Sequence, residues 1–167
     1  SFTRYSYDRF IRSTIDWLMS VISVSFFAIF PFHPLFVLSE LIIALEEGKN
    51  VVLADNIAVS KSEAGSNGYG ATGISQTKGG IIDGNGNDIS VDAWGTWDSA
   101  INTTGGTIKN INVTGGMRGI FINHNSESCS KVILENVTID GTIYTISCDQ
   151  GTKNGLEAYN STFNGWT

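Results

Sequence analysis

The chain repeats itself. Four segments align: GGIIDGNGNDI (79–89), GGTIKNINVTG (105–115), KVILENVTIDG (131–141) and GLEAYNSTFNG (155–165). Ile82, Ile108, Leu134 and Ala158 are equivalent, at spacings of 26, 26 and 24 residues. Asn110, Asn136 and Asn160 share a second position, which Gly84 fills in the first copy. Val113, Ile139 and Phe163 share a third, and Gly115, Gly141 and Gly165 close three of the segments. Self-similarity at such a period is the mark of a solenoid. One unit cannot bury its own apolar face, so each needs a stacked neighbour.

A second set of strands lies between these segments. Gly119–Asn123 (GIFIN) and Ile143–Ser147 (IYTIS) alternate as strands do, with Ile122 and Ile146 spaced 24 apart. The weaker Ala100-Ile101-Asn102 fills that place in the preceding copy. Short strands recurring without a helix describe the coils of an all-β parallel β-helix, whose core is a set of stacked aliphatic columns. A leucine-rich repeat is excluded, because its leucine spacing and its intervening helix are missing. Asparagines at one corner of successive coils are expected to form an inward-pointing ladder of side-chain amides.

Ahead of the repeats the pattern is helical. Ser39 is a good N-cap, and Leu38, Leu41, Ile42 and Leu45 fall on one face. Glu46 and Glu47 are solvated and Gly48 is a natural stop, so Ser39–Glu47 reads as a short amphipathic helix. Val51–Leu53 and Ile57–Val59 follow as strands, separated by Asp55-Asn56.

Residues 1–38 are of another kind. Trp17 to Leu38 is a run of 22 residues without Asp, Glu, Lys or Arg, and a bilayer needs about 20. Arg4, Arg9 and Arg12 precede it, as in a signal sequence or anchor. Asp8 and Asp16 dilute that flank, Pro31 and Pro34 interrupt the run, and no small-x-small cleavage site follows. Three readings stand: an export signal or anchor, a leader foreign to the mature fold, or a buried helix from Ser13 to Phe30. The expected organisation is therefore an apolar leader (1–38) and a solenoid (39–167), with any membrane contact confined to 17–38. The chain stops within a repeat, at Asn164-Gly165-Trp166-Thr167. The coils are therefore expected to be the N-terminal part of a longer stack, incomplete at the C-terminus.

Composition narrows the function classes. The net charge is -6, which argues against a nucleic-acid binder, since phosphate contacts need a basic face. Charged residues make up only 16% and glycine reaches 19 residues against 2 prolines. That mixture suits strands joined by tight turns. Cys129 and Cys148 either pair in an oxidising compartment or stay as two buried thiols.

The cap segment LSELIIALEEGKN, the strand VVLADNIAVS, the segment GGIIDGNGN and the recurring I-x-N-(I/V)-x-(I/V) pattern together resemble the pectin-lyase-like family of right-handed parallel β-helix proteins. The resemblance covers about 39–167. It implies a right-handed solenoid whose N-terminal helix plugs the open end, a role for which Leu41, Ile42 and Leu45 are placed. Such coils occur in polysaccharide lyases, pectin-type hydrolases, phage tailspikes and bacterial surface proteins, so the fold alone does not name an activity. A lyase of this kind would use acidic side chains to hold calcium beside an Arg or Lys base. Pectin-type hydrolases use clustered Asp residues instead. The hydrolase motifs N-T-D, D-D, G-H-G and R-I-K and the lyase motif R-x-P-x-x-R do not occur in the chain.

Several residues are candidates for chemistry, each with a plainer alternative. Arg118, His124, Asn125 and Asp149 form the best local cluster: a 24-residue register sets Asn125 beside Asp149 and His124 beside Cys148. They could line a sugar-binding or catalytic groove. Ordinary turn and corner residues would look the same, and that reading is preferred. Asp83-Gly84-Asn85-Gly86-Asn87-Asp88 places oxygens at alternate positions like a calcium loop. A coil corner explains it better, because the sixth and twelfth positions are Asp88 and Trp94. No metal or other cofactor is expected, unless the protein is a calcium-dependent lyase. Gly68-Tyr69-Gly70-Ala71-Thr72-Gly73 matches a dinucleotide fingerprint but precedes no helix, and it reads as a flexible loop. Trp94, Trp97, Tyr144 and Trp166 are candidate sugar-stacking platforms or loop packing. Asn102, Asn112, Asn136 and Asn160 fit the glycosylation sequon, most simply as by-products of the repeat.

The expectation that results is a secreted, cell-surface or phage-particle β-helix protein that contacts polysaccharide, with this segment as cap and scaffold. A polysaccharide lyase or glycoside hydrolase with catalytic coils further along is the alternative. A purely structural or adhesive repeat is the third. Whether the chain is an enzyme is left open by the sequence.

Overall fold

The structure is a computed structural model, and it describes residues 33–35, 38–66, 68–92, 95, 97–124, 129–148 and 154–165. The described residues of the unit from Pro34 to Thr167 form a parallel β-solenoid of about 3 turns. The apolar leader expected at 1–38 falls almost entirely outside the described residues. Among those described, no helix is long and apolar enough to cross a membrane.

The first sheet carries the repeats. Its strands are β1 (His33–Leu35), β2 (Val51–Leu53), β3 (Ile57–Val59), β6 (Ile81–Asp83), β7 (Asp88–Val91), β9 (Gly106–Thr114), β11 (Val132–Asp140), β13 (Leu156–Tyr159) and β14 (Thr162–Phe163). The second holds β4 (Gly65–Ser66), β5 (Ala71–Gln76), β8 (Ser99–Thr103), β10 (Arg118–Ile122) and β12 (Tyr144–Ser147). Apart from the antiparallel β4–β5 pair, the registered pairings are parallel. That is what one coil stacked on the next requires.

The equivalences read from the repeat hold in the first sheet. Val51 pairs with Ile82, Ile82 with Ile108, Ile108 with Leu134, and Leu134 with Ala158. Val51, Ile82, Ile108 and Leu134 are all fully buried. A parallel column runs Ile57–Ile89–Val113–Ile139–Phe163. Each such side chain contributes roughly 1.5–3 kcal/mol by leaving water. Ala158 is exposed because no described strand lies beyond it.

The second sheet differs from expectation. Ile120, not Ile122, stands opposite Ile146, and Arg118 stands opposite Tyr144. On the other side Ile120 meets Ile101, as the weak Ala100-Ile101-Asn102 segment suggested. The spacing is therefore 26 on one side and 19 on the other, rather than 24. A slip of two residues keeps every side chain on its own face, so the alternating pattern cannot detect it. One consequence is that Cys148 falls level with Ile122, and the proximity of His124 to Cys148 is lost.

Helix α1 spans Leu38–Glu46 and buries Leu41, Ala44 and Leu45 against the solenoid. Ile42, expected on the buried face, is only half-buried. Its end is a Schellman turn: Gly48, at φ 70, donates to the Leu45 carbonyl, and Lys49 donates to the Ala44 carbonyl, both at 3.0 Å.

The asparagine corner exists but faces outward. Asn110, Asn136 and Asn160 sit at φ 51, 54 and 49, the left-handed conformation that asparagine tolerates best after glycine. Asn136 and Asn160 are exposed, while Ile111 and Val137, the next residues, enter the core. The inward ladder expected from the sequence is thus an outer one. In the first coil the left-handed residue is Asn85, one place later than expected, and the ladder ends on the Asp83 carboxylate. The glycine-rich 68–73 segment is half bend and half strand, since β5 begins at Ala71. A Cβ on Gly73 would lie 2.6 Å from the Ala100 carbonyl, so glycine is kept there by the close approach of the next coil. Of the two cysteines, Cys129 is buried and Cys148 half-buried.

Candidate functional site

The second sheet carries two of the described residues singled out for chemistry, Arg118 in β10 and Tyr144 in β12. Its registered rungs are Thr72–Ser99–Arg118–Tyr144, Ile74–Ile101–Ile120–Ile146 and Ser75–Asn102–Phe121–Ser147. The isoleucine rung belongs to the aliphatic core. Phe121, although fully buried, lies outside that cluster and packs against aromatic and cationic side chains instead.

Those side chains form a stack. The Arg118 guanidinium lies 4.4 Å from the Phe121 ring centre and 4.8 Å from that of Trp97. Tyr69 meets Phe121 edge-on, with centroids 5.7 Å apart and planes at 87°. Each cation–π contact is worth about 0.5–2 kcal/mol, more when desolvated, as here. Arg118 is fully buried, whereas Tyr69 and Trp97 are both 48% exposed. The outer surface of the stack is thus aromatic and its interior is cationic.

Local hydrogen bonds hold the two exposed rings. Trp97 has φ 70, and its N–H donates to the Met117 sulfur at 3.1 Å. The neighbouring Asp98 is buried and accepts from the Ala71 N–H at 2.8 Å, which ties this turn to the segment after Tyr69. The Asp98 carbonyl accepts from the Arg118 N–H at 3.0 Å. Beneath them the Thr72 and Ser99 hydroxyls share a buried hydrogen bond of 3.0 Å.

A groove of ≈ 560 Å³ opens across β4, β5 and β8 and reaches Asn123, just past β10. Ser75, Thr77, Asn102, Thr104 and Asn123 line it, and α1 contributes Ile42 and Glu46. Asn102 and Asn123 are 4% and 7% exposed, and neither side-chain oxygen accepts a hydrogen bond from the protein. A buried acceptor left in that state costs about 1–3 kcal/mol.

Arg118 and Trp97 are in contact. His124 is fully buried, with neither ring nitrogen hydrogen-bonded, so no ligand in solvent reaches it. Asn125, Asp149, Trp94 and Trp166 lie outside the described residues. Tyr144 is exposed, on the rung beside Arg118. Asp83, in the calcium-like loop, is already engaged: the Asn110 side chain and the Asn85 N–H donate to it, and Lys109 pairs with it at 3.2 Å. Burial raises its carboxyl, but these three contacts outweigh that and hold it below its ordinary value. Among the described residues no group of three or more His, Cys, Asp or Glu side chains is placed to hold a metal ion.

The sequence reading passed over Asn102 and Asn123 as site residues. The signal available was that each closes an apolar strand, Ala-Ile-Asn and Ile-Phe-Ile-Asn. Only the 19-residue register sets them on neighbouring strands of one surface. No family model, curated protein or solved structure matches the chain.

Proposed function

We propose that this solenoid is a polysaccharide-contacting scaffold of a secreted, cell-surface or particle-surface protein, of the pectin-lyase-like right-handed kind, with α1 as its cap. The observation that carries the reading is Trp97. It is a large aromatic ring, half exposed, fixed at a left-handed backbone position and seated on the buried Arg118 guanidinium. Pyranose rings present C–H faces that pack on such indoles, and a ring already immobilised loses little entropy on binding.

The cap helix and the asparagine corners support the pectin-lyase-like reading. Catalysis is not part of the proposal, because Arg118 and His124 are buried.

Affinity electrophoresis through gels of acidic and neutral polysaccharides, with and without calcium, tests the reading. Retardation of the native chain by at least one glycan, lost in Trp97→Ala, is the expected result. Equal mobility of both proteins in every gel would leave a purely structural repeat as the better account. Unsaturated products or new reducing ends would instead mark an enzyme.

A further inference from the structure

We infer that Tyr69 joins Trp97 in one two-ring platform whose ligand is a glycan chain of at least two sugar units, not a lone sugar. Gly70 is the positioning residue that sets the two rings together. The inference rests on the glycan-contact reading and deepens it.

The two rings come from neighbouring coils. The Thr72–Ser99 pair sets β5 and β8 at an offset of 27 residues. The same offset continues beyond the strand ends, where the Ala71 N–H donates to the Asp98 carboxylate at 2.8 Å. It brings Gly70 against Trp97. A Cβ on Gly70 would lie 2.5 Å from the Trp97 carbonyl oxygen and 2.6 Å from the carbonyl carbon, closer than a real Cβ comes. Only the missing side chain lets the segment that carries Tyr69 close on the turn that carries Trp97. Neighbouring strands lie about 4.8 Å apart, a step close to the length of one sugar unit. A glycan that crosses from one coil to the next therefore sets successive units on the two rings.

Both rings are accessible, and both stand on one base. Each is 48% exposed. The Arg118 guanidinium covers one face of the Trp97 indole and is itself fully buried, so the opposite face is the one that meets solvent. Tyr69 rests on the buried Phe121, which packs against the same guanidinium. Arg118 and Phe121 both belong to β10, and a strand holds such supports more precisely than a loop does. The φ of 70 at Trp97 is one that bulky residues seldom adopt. Strained positions of this kind gather at ligand clamps, where the surrounding structure enforces them. Here the Met117 sulfur and the Asp98 contacts do so. Each sugar unit offers its own C–H face to an aromatic ring. Two accessible rings on a shared base thus favour a chain over a single unit.

The test is an NMR titration of the full chain with oligosaccharides of one to six units, prepared from each polysaccharide used in the gels. It follows the indole N–H signal of Trp97. In at least one series the two- or three-unit oligomer should bind at least tenfold more tightly than the single sugar. Tyr69→Leu, which still covers Phe121 but offers no aromatic face, should abolish that gain, whereas Tyr69→Phe should keep it. Gly70→Ala should also abolish it and leave the weak single-sugar binding in place. A merely structural glycine would lower the melting temperature without changing the ratio of the two affinities. Equal affinity for one unit and for longer chains, or native binding by Tyr69→Leu, would overturn this inference. Loss of gel retardation in Trp97→Ala would then still support the glycan-contact reading. Retardation without binding of any oligomer would likewise overturn the two-ring platform. No binding of any oligomer and no retardation in any gel would overturn both.

Discussion

The Asn136 side-chain amide donates to the Asn110 carboxamide oxygen across 3.1 Å, and both residues hold the left-handed conformation at φ 54 and 51. The corner uses asparagine for two reasons at once. The residue tolerates positive φ, and its short amide reaches the same residue of the next coil. Asn110 passes the chain on to the Asp83 carboxylate at 3.0 Å.

Replacing Asn136 should separate these roles. Asn136→Ala loses both, at about 1–2 kcal/mol for the backbone and about 1 kcal/mol for the hydrogen bond. Asn136→Gly loses mainly the hydrogen bond. Denaturant unfolding should rank the proteins native, glycine, alanine. If alanine is as stable as glycine, the left-handed corner is not what selects asparagine.

The central column should dominate stability. Ile108 is fully buried between Ile82 and Leu134, so Ile108→Ala should cost about 2–5 kcal/mol. Ile43 on α1 is 57% exposed, and its truncation should cost under about 1 kcal/mol. Comparable losses in urea titrations would refute the stacked-column core.

Acid should weaken the ladder through Asp83. Its folded carboxyl titrates below the ordinary 3.8. Its contribution to stability is therefore full above that value and disappears as pH falls through the lower folded one. Unfolding free energies measured between neutral pH and about pH 3 should fall less steeply for Asp83→Asn than for the native chain. Parallel curves would show that Lys109 and Asn110 do not stabilise the charged form.

Two coil-closing glycines should respond differently. A Cβ on Gly115 would lie 1.8 Å from the Val91 carbonyl oxygen, whereas one on Gly141 meets nothing within 4 Å. Both have positive φ, 80 and 68. Gly141→Ala should cost about 1–2 kcal/mol for backbone strain alone, and Gly115→Ala distinctly more. Thermal melts of the two variants would decide it, and equal losses would mean that Val91 yields without cost.

The solenoid, the first-sheet register and the cap helix were legible in the chain's own pattern. Ile82, Ile108, Leu134 and Ala158 could be aligned because each coil must set an apolar residue on that of the last, and the turns between them vary little in length. Leu41 and Leu45 were legible because helical spacing marks a buried face, and Gly48 because a helix needs a left-handed stop. The second-sheet register was decided only in three dimensions. Slips of two residues leave the alternation unchanged, so lateral pairing had to choose Ile120 over Ile122 as the partner of Ile146. The same holds for the candidate site. Arg118 meets Trp97, and Asn102 and Asn123 line one groove, because strands 19 residues apart in the chain lie side by side. No local pattern encodes that distance. The direction of the asparagine ladder is tertiary for a related reason. A corner residue faces outward when its successor, here Ile111 or Val137, takes the place in the core.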